Sequence, residues 1–138
     1  MQVNYKGKAP QYMSDGAAGA DLVSSQHYII SPNQQVRINT GTKIEIPLGY
    51  VGILVPRSSL CNKMHLSMTN SIGIIDSDFR GAIECCYKNN GDEDVIIEAT
   101  ERICQLVLIP FITAEYTEKE ELSETVRGDG SFGSTGEK

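Results

Sequence analysis

Several features that would define a class of protein are missing from this 138-residue sequence. No apolar run approaches the ~18 residues of a membrane span, and the first ten residues, MQVNYKGKAP, contain no apolar signal-peptide core. The four cysteines form no CxxC pair, so their spacing predicts neither a zinc site nor a dithiol redox motif. The net charge of −6 comes without a basic patch, which argues against nucleic-acid binding. We therefore expect a soluble intracellular protein, cytoplasmic or elsewhere in the cell, with no membrane or nucleic-acid partner.

The arginines nevertheless stand in positions that favour a phosphate ligand. Arg57 precedes two serines, Arg80 precedes a glycine, and Arg127 opens a glycine-rich tail. A guanidinium group beside hydroxyls and bare backbone amides suits phosphate oxygens. In an acidic chain, such local cationic pockets indicate a small anion rather than a polymer.

Alternating apolar residues predict a single domain made mostly of β-strands. QVRIN (35–39) and TKIEI (42–46) alternate apolar and polar residues, whereas YVGILVP (50–56) is apolar nearly throughout and predicts a strand buried on both faces. Turn signals separate such segments, so we expect an all-β sandwich, barrel or jelly roll. SSLCNKM (58–64) is the best candidate for a short helix after a serine cap, and TEKEELSE (117–124) predicts a solvated connector.

The span NSIGIIDSDFRGAI (70–83) is the most informative of the chain. Two apolar segments flank Asp76 and Asp78, which predicts a β-hairpin. Paired acids in a tight turn are often only turn formers. Here, however, Phe79 follows at once, and an aromatic platform beside an ionised carboxylate fits a flat ring attached to a sugar. The turn is therefore a candidate binding site.

Three further polar residues each have two interpretations. Asp21 in AAGADL is either a loop aspartate entering a strand or a carboxylate near a divalent metal or its waters. Arg57 in VPRSSL is either a surface arginine before a serine-capped helix or part of an anion site at the free amides of that helix. Gln105 lies in the apolar run ERICQLVL, where a buried amide must pair with the backbone or point at a ligand.

The tail RGDGSFGSTG (127–136) contains too much glycine to order by itself. Phe132 offers a stacking face, Arg127 a charge, and Gly133, Ser134 and Thr135 offer amides and hydroxyls for phosphate oxygens. The tail lacks the lysine of a GxxxxGK[ST] P-loop. We interpret it as a flexible lid that a phosphorylated, ring-bearing ligand orders.

Taken in order, five segments resemble the homotrimeric deoxyuridine triphosphatases (dUTPases): AGADL, TGTKIEIPLGYVGILVPRSSL, TNSIGIIDSDFRGAI, ERICQLVLIPF and RGDGSFGSTG. The resemblance covers essentially the whole chain. It implies a distorted jelly-roll β-barrel over residues 1–125, with residues 126–138 forming a C-terminal lid of the same domain. It also implies a homotrimer with three active sites at its subunit interfaces, each drawing on all three chains.

The activity implied by the resemblance is hydrolysis of dUTP to dUMP and pyrophosphate with Mg²⁺, which keeps uracil out of DNA and supplies dUMP for thymidylate synthesis. Asp76 would be the general base that directs water at the α-phosphorus, and Asp21 would hold the magnesium through its water shell. Phe79 would pack below the deoxyribose and Phe132 would stack on uracil. The substrate-binding residues implied in this way are Arg57, Ser58, Ser59, Asn70, Gly73, Ile75, Phe79, Gly81, Gln105, Arg127, Phe132, Gly133, Ser134 and Thr135.

The sequence departs from the family pattern at three positions. Phe79 stands where tyrosine is more common, so any hydrogen bond from the phenol is lost, although the ring can still exclude a 2′-hydroxyl by packing. Cys104 and Ser131 replace a typical alanine and a typical glycine.

Two alternatives remain open from the sequence. A dCTP deaminase is similar in fold and triphosphate binding, but it needs a glutamate on the strand after the hairpin, where only Glu84 stands nearby. A non-catalytic nucleotide sensor is the second alternative, and the presence of Asp76 favours an enzyme over it.

Overall fold

The structure is a computed structural model that describes residues 1–131, and its regular elements are nearly all β-strands. The prediction of an all-β protein is confirmed. Within that range the elements are β1 Asn4–Gly7, β2 Ala20–Val23, β3 Tyr28–Ile30, β4 Gln35–Asn39, β5 Thr42–Glu45, β6 Tyr50–Pro56, α1 Ser58–Met64, β7 Leu66–Met68, β8 Gly73–Ile75, β9 Glu84–Asn89, β10 Val95–Ile97 and β11 Arg102–Pro110.

The strands form antiparallel sheets whose neighbours are far apart in sequence. The larger sheet has the order β2-β11-β6-β8, and a three-stranded sheet has the order β4-β9-β7. Two short pairs, β1-β5 and β10-β3, complete the described sheets. Strand β11, the last strand of the described chain, pairs with both β2 and β6 and so joins these two strands, which are far apart in sequence, into one sheet.

The core is aliphatic and encloses one tyrosine. Ile38 and Ile44 are buried, as the alternation in β4 and β5 predicted. Tyr87 is fully buried, and its hydroxyl donates a hydrogen bond of 2.6 Å to the carbonyl oxygen of Ile103. Burial, assisted by neighbouring thiols, raises the pKa of Tyr87 well above its ordinary value. The phenol therefore stays protonated and keeps donating this bond, which links strands of the two larger sheets.

The predicted hairpin over 70–83 is wrong. Strand β8 pairs with β6, whereas β9 pairs with β4 and β7, so the two apolar segments enter different sheets. Gly73 lets β8 approach β6 closely, because a Cβ at that position would lie only 3.0 Å from the Cβ of Leu54. The acidic turn therefore belongs to a crossover between sheets.

One face of the larger sheet is only partly covered. In β6, Gly52 and Leu54 are buried, but Val51, Ile53 and Val55 are half-buried. Ile74, which pairs with Ile53, is 59% exposed. The prediction that β6 is buried on both faces is therefore wrong for a single chain, since the described residues leave that face partly open.

After β11 the described chain continues without helix or strand to residue 131, and nearly all of it is exposed. The solvated connector predicted for 117–124 is confirmed. None of the helices formed by residues 1–131 has the length and apolar character needed to cross a membrane.

Candidate active site

Strand β11 brings together four polar side chains from three parts of the chain. It lies between β2 and β6, so residues from both neighbours flank it. Gln105 on β11 lies opposite Asp21 on β2. Arg57 follows the last residue of β6, and Arg102 begins β11, which places both guanidinium groups at the same end of the sheet. We call these four residues the arginine cluster.

The Asp21 carboxylate is the centre of the arginine cluster, and both of its oxygens are engaged. Oδ2 accepts a hydrogen bond from Arg102 Nη1 at 2.9 Å, and Oδ1 accepts one from Gln105 Nε2 at 2.9 Å. Arg57 Nε lies 3.7 Å from Oδ1, and Arg57 Nη1 donates to the Arg102 carbonyl oxygen at 3.2 Å. The Asp21 side chain is 3% exposed, against 23% for Arg57 and 41% for Arg102. A buried carboxylate thus orients two guanidinium groups whose outer edges reach solvent.

The charges of the arginine cluster favour an anion. Two guanidinium groups surround one carboxylate, which leaves one positive charge uncompensated within the cluster. Charge-assisted hydrogen bonds from such groups bind phosphate oxygens strongly and with defined geometry. The exposed edges of Arg57 and Arg102 are therefore suited to a phosphorylated ligand.

Sequence reasoning missed part of this cluster. Asp21 does enter a strand, but its side chain is buried, and the Gln105 amide nitrogen pairs with its carboxylate, which neither interpretation of Gln105 included. Arg102 was not among the predicted site residues. In a regular strand, two side chains that are three residues apart, such as those of Arg102 and Gln105, point to opposite faces. A bulge between Arg102 and Cys104 shifts this alternation, so that Arg102 and Gln105 both reach Asp21.

Helix α1 confirms the predicted short helix but not its serine cap. Arg57 is the N-cap residue, with extended backbone (φ −81°, ψ 136°) and no side-chain capping bond. The interpretation of Arg57 as a surface arginine is also wrong, because its guanidinium turns toward Asp21. Ser58 is exposed and Ser59 is half-buried in the first turn of the helix. Neither hydroxyl caps the helix, because the N-cap residue is Arg57.

The donor set does not fit a metal held by this chain alone. Residues 1–131 contain no group of three His, Cys, Asp or Glu side chains that could hold an ion. Each oxygen of Asp21 still has a second lone pair beyond the bond described above. The carboxylate therefore fits a hydrogen bond from the water shell of an ion whose own ligands are phosphate oxygens and waters.

A second candidate region is the turn 76–79, which follows β8. The Phe79 N–H group donates to the Asp76 carbonyl oxygen at 3.2 Å and closes the turn. The carboxylates of Asp76 and Asp78 are exposed and take part in none of the hydrogen bonds or ion pairs formed within residues 1–131. Phe79 is 40% exposed beside them. The two acidic residues and Phe79 therefore share one short turn, and their predicted joint role at a nucleotide stays a prediction.

Arg80 clamps the backbone of this turn. Its Nη1 donates to the carbonyl oxygens of Ser77 at 2.7 Å and Phe79 at 3.0 Å. Its Nε lies 3.9 Å from Glu45 Oε1, and Asn4 Nδ2 donates to Glu45 Oε2 at 3.0 Å. Arg80 therefore holds the backbone of the turn locally, while its pair with Glu45 is solvent-exposed and adds little stability.

The turn and the arginine cluster lie at opposite ends of β6. Strand β8 runs antiparallel to β6 with Ile75 opposite Gly52, so Asp76 lies one residue further on, beside Val51. The distance along the strand from Val51 to Arg57 is about 20 Å at a rise of about 3.3 Å per residue. Within one chain, Asp76 and Arg57 therefore cannot contact the same phosphate group.

The remaining predicted residues are divided between β8 and the tail. Asn70 is exposed in the turn before β8, Gly73 is buried, and Ile75 is half-buried. Because β8 is an edge strand of the larger sheet as described, the side away from β6 presents backbone donors and acceptors. Arg127 is exposed near the end of the described chain. Phe132, Gly133, Ser134 and Thr135 lie outside the described residues.

The family model for dUTPase matches residues 5–136, nearly the whole chain. The chain belongs to the dUTPase family. It is 43% identical over 137 residues to the deoxyuridine 5′-triphosphate nucleotidohydrolase of Escherichia phage T5, covering 94% of this chain and 92% of that protein. It is 46% identical over 133 residues to the protein of the same name from Chlamydia pneumoniae, covering 94% and 92%. A solved structure of the Staphylococcus bacteriophage 80alpha dUTPase with dUpNHpp aligns with a TM-score of 0.91 at 28% identity over 98% of both chains.

Membership of the dUTPase family confirms the resemblance found in the sequence and the dUTPase-type fold. The structure also bears on the deaminase alternative through Glu84, the glutamate nearest the required position. Its Oε2 lies 3.6 Å from Arg37 Nε, and its Oε1 accepts a hydrogen bond from Asn39 Nδ2 at 3.3 Å. Both carboxylate oxygens of Glu84 thus contact side chains of β4, which argues against a catalytic role in deamination.

An Asp21→Asn variant separates two roles for this residue. If Asp21 orients the two arginines, the variant loses nucleotide affinity with or without Mg²⁺, and the free energy of unfolding falls by about 1.5–3 kcal/mol because charge-assisted hydrogen bonds to partly exposed arginines are lost. Isothermal titration with dUpNHpp and urea unfolding measure both effects. The control is Asp15→Asn, an exposed turn position. A loss of affinity that appears only when Mg²⁺ is present would instead assign Asp21 to the metal's water shell alone.

Proposed function

We propose that this protein hydrolyses dUTP to dUMP and pyrophosphate, and thereby keeps uracil out of DNA and supplies dUMP for thymidylate synthesis. The observation that carries the proposal is the pair of complementary half-sites in a chain of the dUTPase family. One half-site is the arginine cluster, with its surplus positive charge, and the other is the exposed Asp76 carboxylate beside Phe79.

We propose that these half-sites meet between copies of the chain in a homotrimer. The separation of about 20 Å along β6 supports this proposal, because a second copy would then supply the half-site that lies out of reach within one chain. The partly open face of the larger sheet supports association, because Ile74 is 59% and Ile109 is 43% exposed there. Burying such an apolar face removes it from water, which favours assembly.

Asp76 acts in this proposal as the general base. Its carboxylate accepts a proton from water while the water oxygen forms a bond to the α-phosphorus. The bond from that phosphorus to the oxygen bridging to the β-phosphorus breaks, and pyrophosphate leaves. Catalysis then depends mainly on holding the water in line with the breaking bond, together with charge stabilisation by Arg57 and Gln105. The Arg80 clamp supports this role, because it fixes the backbone that carries Asp76.

Magnesium is proposed to enter with the triphosphate, whose oxygens it neutralises and aligns when bound. Asp21 would hold it through water, using the lone pairs that remain beyond Arg102 and Gln105. This assignment fits the donor set described above.

Base selection is proposed to lie on the edge of β8. The backbone at Gly73 and Ile75, on the side away from β6, presents fixed donors and acceptors that suit the edge of uracil, with the Asn70 side chain at its start. Cytosine reverses part of that pattern and leaves buried polar groups unpaired, which costs affinity. Phe79 then packs below the deoxyribose.

The lid is proposed to be residues 126–138, attached to a domain of residues 1–125. The exposed connector 117–124 supports this division, since it leaves the domain without fixing the tail to it. In this proposal Arg127, Ser134 and Thr135 contact phosphates, Gly133 contributes its backbone amide, and Phe132 covers uracil. The four free cysteines fit the intracellular location that such a substrate requires, because cytosolic thiols are kept reduced.

The function is tested by pyrophosphate release from dUTP, dTTP, dCTP and UTP in the presence of Mg²⁺. We expect rapid release from dUTP and little from the other three. Ammonia release from dCTP would establish the deaminase instead, and tight binding of dUTP without turnover would establish the nucleotide sensor.

A further inference from the structure

Gly81 lies directly beneath the ring of Phe79. A Cβ placed on Gly81 would lie 2.5 Å from Cζ of that ring, 2.9 Å from Cε2 and 3.4 Å from Cε1. Carbon atoms pack best at about 3.5–4.0 Å, so even the smallest side chain would collide with the ring. The ring is therefore seated on the bare backbone of residue 81.

The collision accounts for a glycine at this position better than backbone strain does. Gly81 is not among the glycines with positive φ, so its backbone suits any residue. The three nearest heavy atoms to its missing Cβ all belong to Phe79. The backbone cannot easily give way, because Arg80 Nη1 holds the carbonyl oxygens of Ser77 and Phe79. A side chain at position 81 would therefore move the ring by about 1 Å, away from Gly81 and toward its exposed side.

We infer that Gly81 is a positioning residue that sets the height of the Phe79 ring and, through the ring, the fit of the nucleotide sugar. This inference rests on the proposed function. It also replaces the expectation that Gly81 contacts the substrate itself. Because position 79 lacks a phenol hydroxyl in this chain, sugar selection depends on where the ring stands rather than on a hydrogen bond. Discrimination between deoxyribose and ribose then requires the close packing of the Phe79 ring on Gly81.

The test is a double-mutant cycle of Gly81→Ala with Phe79→Leu, read as KM and kcat/KM for dUTP and UTP. We expect Gly81→Ala to raise KM and to lower kcat/KM for dUTP at least about tenfold, since displacements of about 1 Å cost up to about 100-fold. In the Phe79→Leu background the shorter side chain removes the collision, so the same alanine should change kcat/KM by less than about twofold. Phe79→Leu alone should narrow the preference for dUTP over UTP.

The matched control is Gly16→Ala, because Gly16 also has ordinary φ and a Cβ there meets nothing within 4 Å. It should leave both kcat/KM and the melting temperature unchanged. If Gly81→Ala behaves as Gly16→Ala, or lowers kcat/KM equally in both backgrounds, the inference is overturned. If the unmodified protein does not turn over dUTP, the proposed function fails first and the inference fails with it.

Discussion

The Asp76→Asn variant is expected to bind dUTP normally and to lose about 10²- to 10⁴-fold in kcat, the range that general-base catalysis contributes. An amide has nearly the shape of a carboxylate but cannot accept the proton of the attacking water. The Asp76 side chain is exposed and bonded to no other residue of 1–131, so the substitution should not disturb the fold. Single-turnover pyrophosphate release measures the chemical step, and titration with dUpNHpp measures binding.

The matched control for this variant is Asp78→Asn, which removes the same charge from the same turn. We expect it to lose far less activity, because only one of the two carboxylates is proposed to lie in line with the α-phosphorus. Equal losses in the two variants would show that the negative charge of the turn matters and the placement of Asp76 does not.

Deletion of residues 126–138 is expected to leave the domain folded and to lower kcat/KM for dUTP by about 100-fold or more, the cost of removing groups that stabilise transition-state charge. Among residues 1–131, positions 126–131 form only local bonds, such as Gly130 N–H to the Arg127 carbonyl oxygen at 3.0 Å and Gly128 N–H to the Thr125 hydroxyl at 3.1 Å, so the domain should not depend on them. Thermal unfolding and steady-state kinetics measure the two effects.

The control for the deletion is removal of residues 137–138 alone, which lie beyond the glycine-rich segment. This shorter deletion should retain full activity. Unchanged kcat/KM in the longer deletion would show that the tail plays no part in turnover.

Local pattern predicted the strands well but not their partners. Alternation in β4 and β5 identified Ile38 and Ile44 as core residues, because alternate side chains of a strand face the core and this pattern can be read from neighbouring residues in the sequence. The hairpin over 70–83 failed because pairing depends on residues far along the chain. The pairing of Gly73 with Leu54 on β6, about 20 positions away, is not visible in a local stretch of sequence.

In the candidate site, too, the residue types could be predicted from the sequence but their spatial arrangement could not. Its residue types were identified from motifs, and the family resemblance is confirmed. The geometry was not predictable, because Asp21 and Gln105 are 84 positions apart and meet only through sheet register. The role of Arg102 depends on a β-bulge, and the seating of Phe79 on Gly81 depends on side-chain packing. Such features arise from tertiary structure.

A crystal structure of the assembled protein with Mg²⁺ and dUpNHpp would show whether the active site is shared between chains. We expect the Asp76 carboxylate of one chain to lie about 3 Å from a water in line with the α-phosphorus, while Arg57 and Gln105 of another chain contact the phosphates. A complex in which Asp76 points away from the α-phosphorus, or in which one chain supplies every contact, would contradict this expectation.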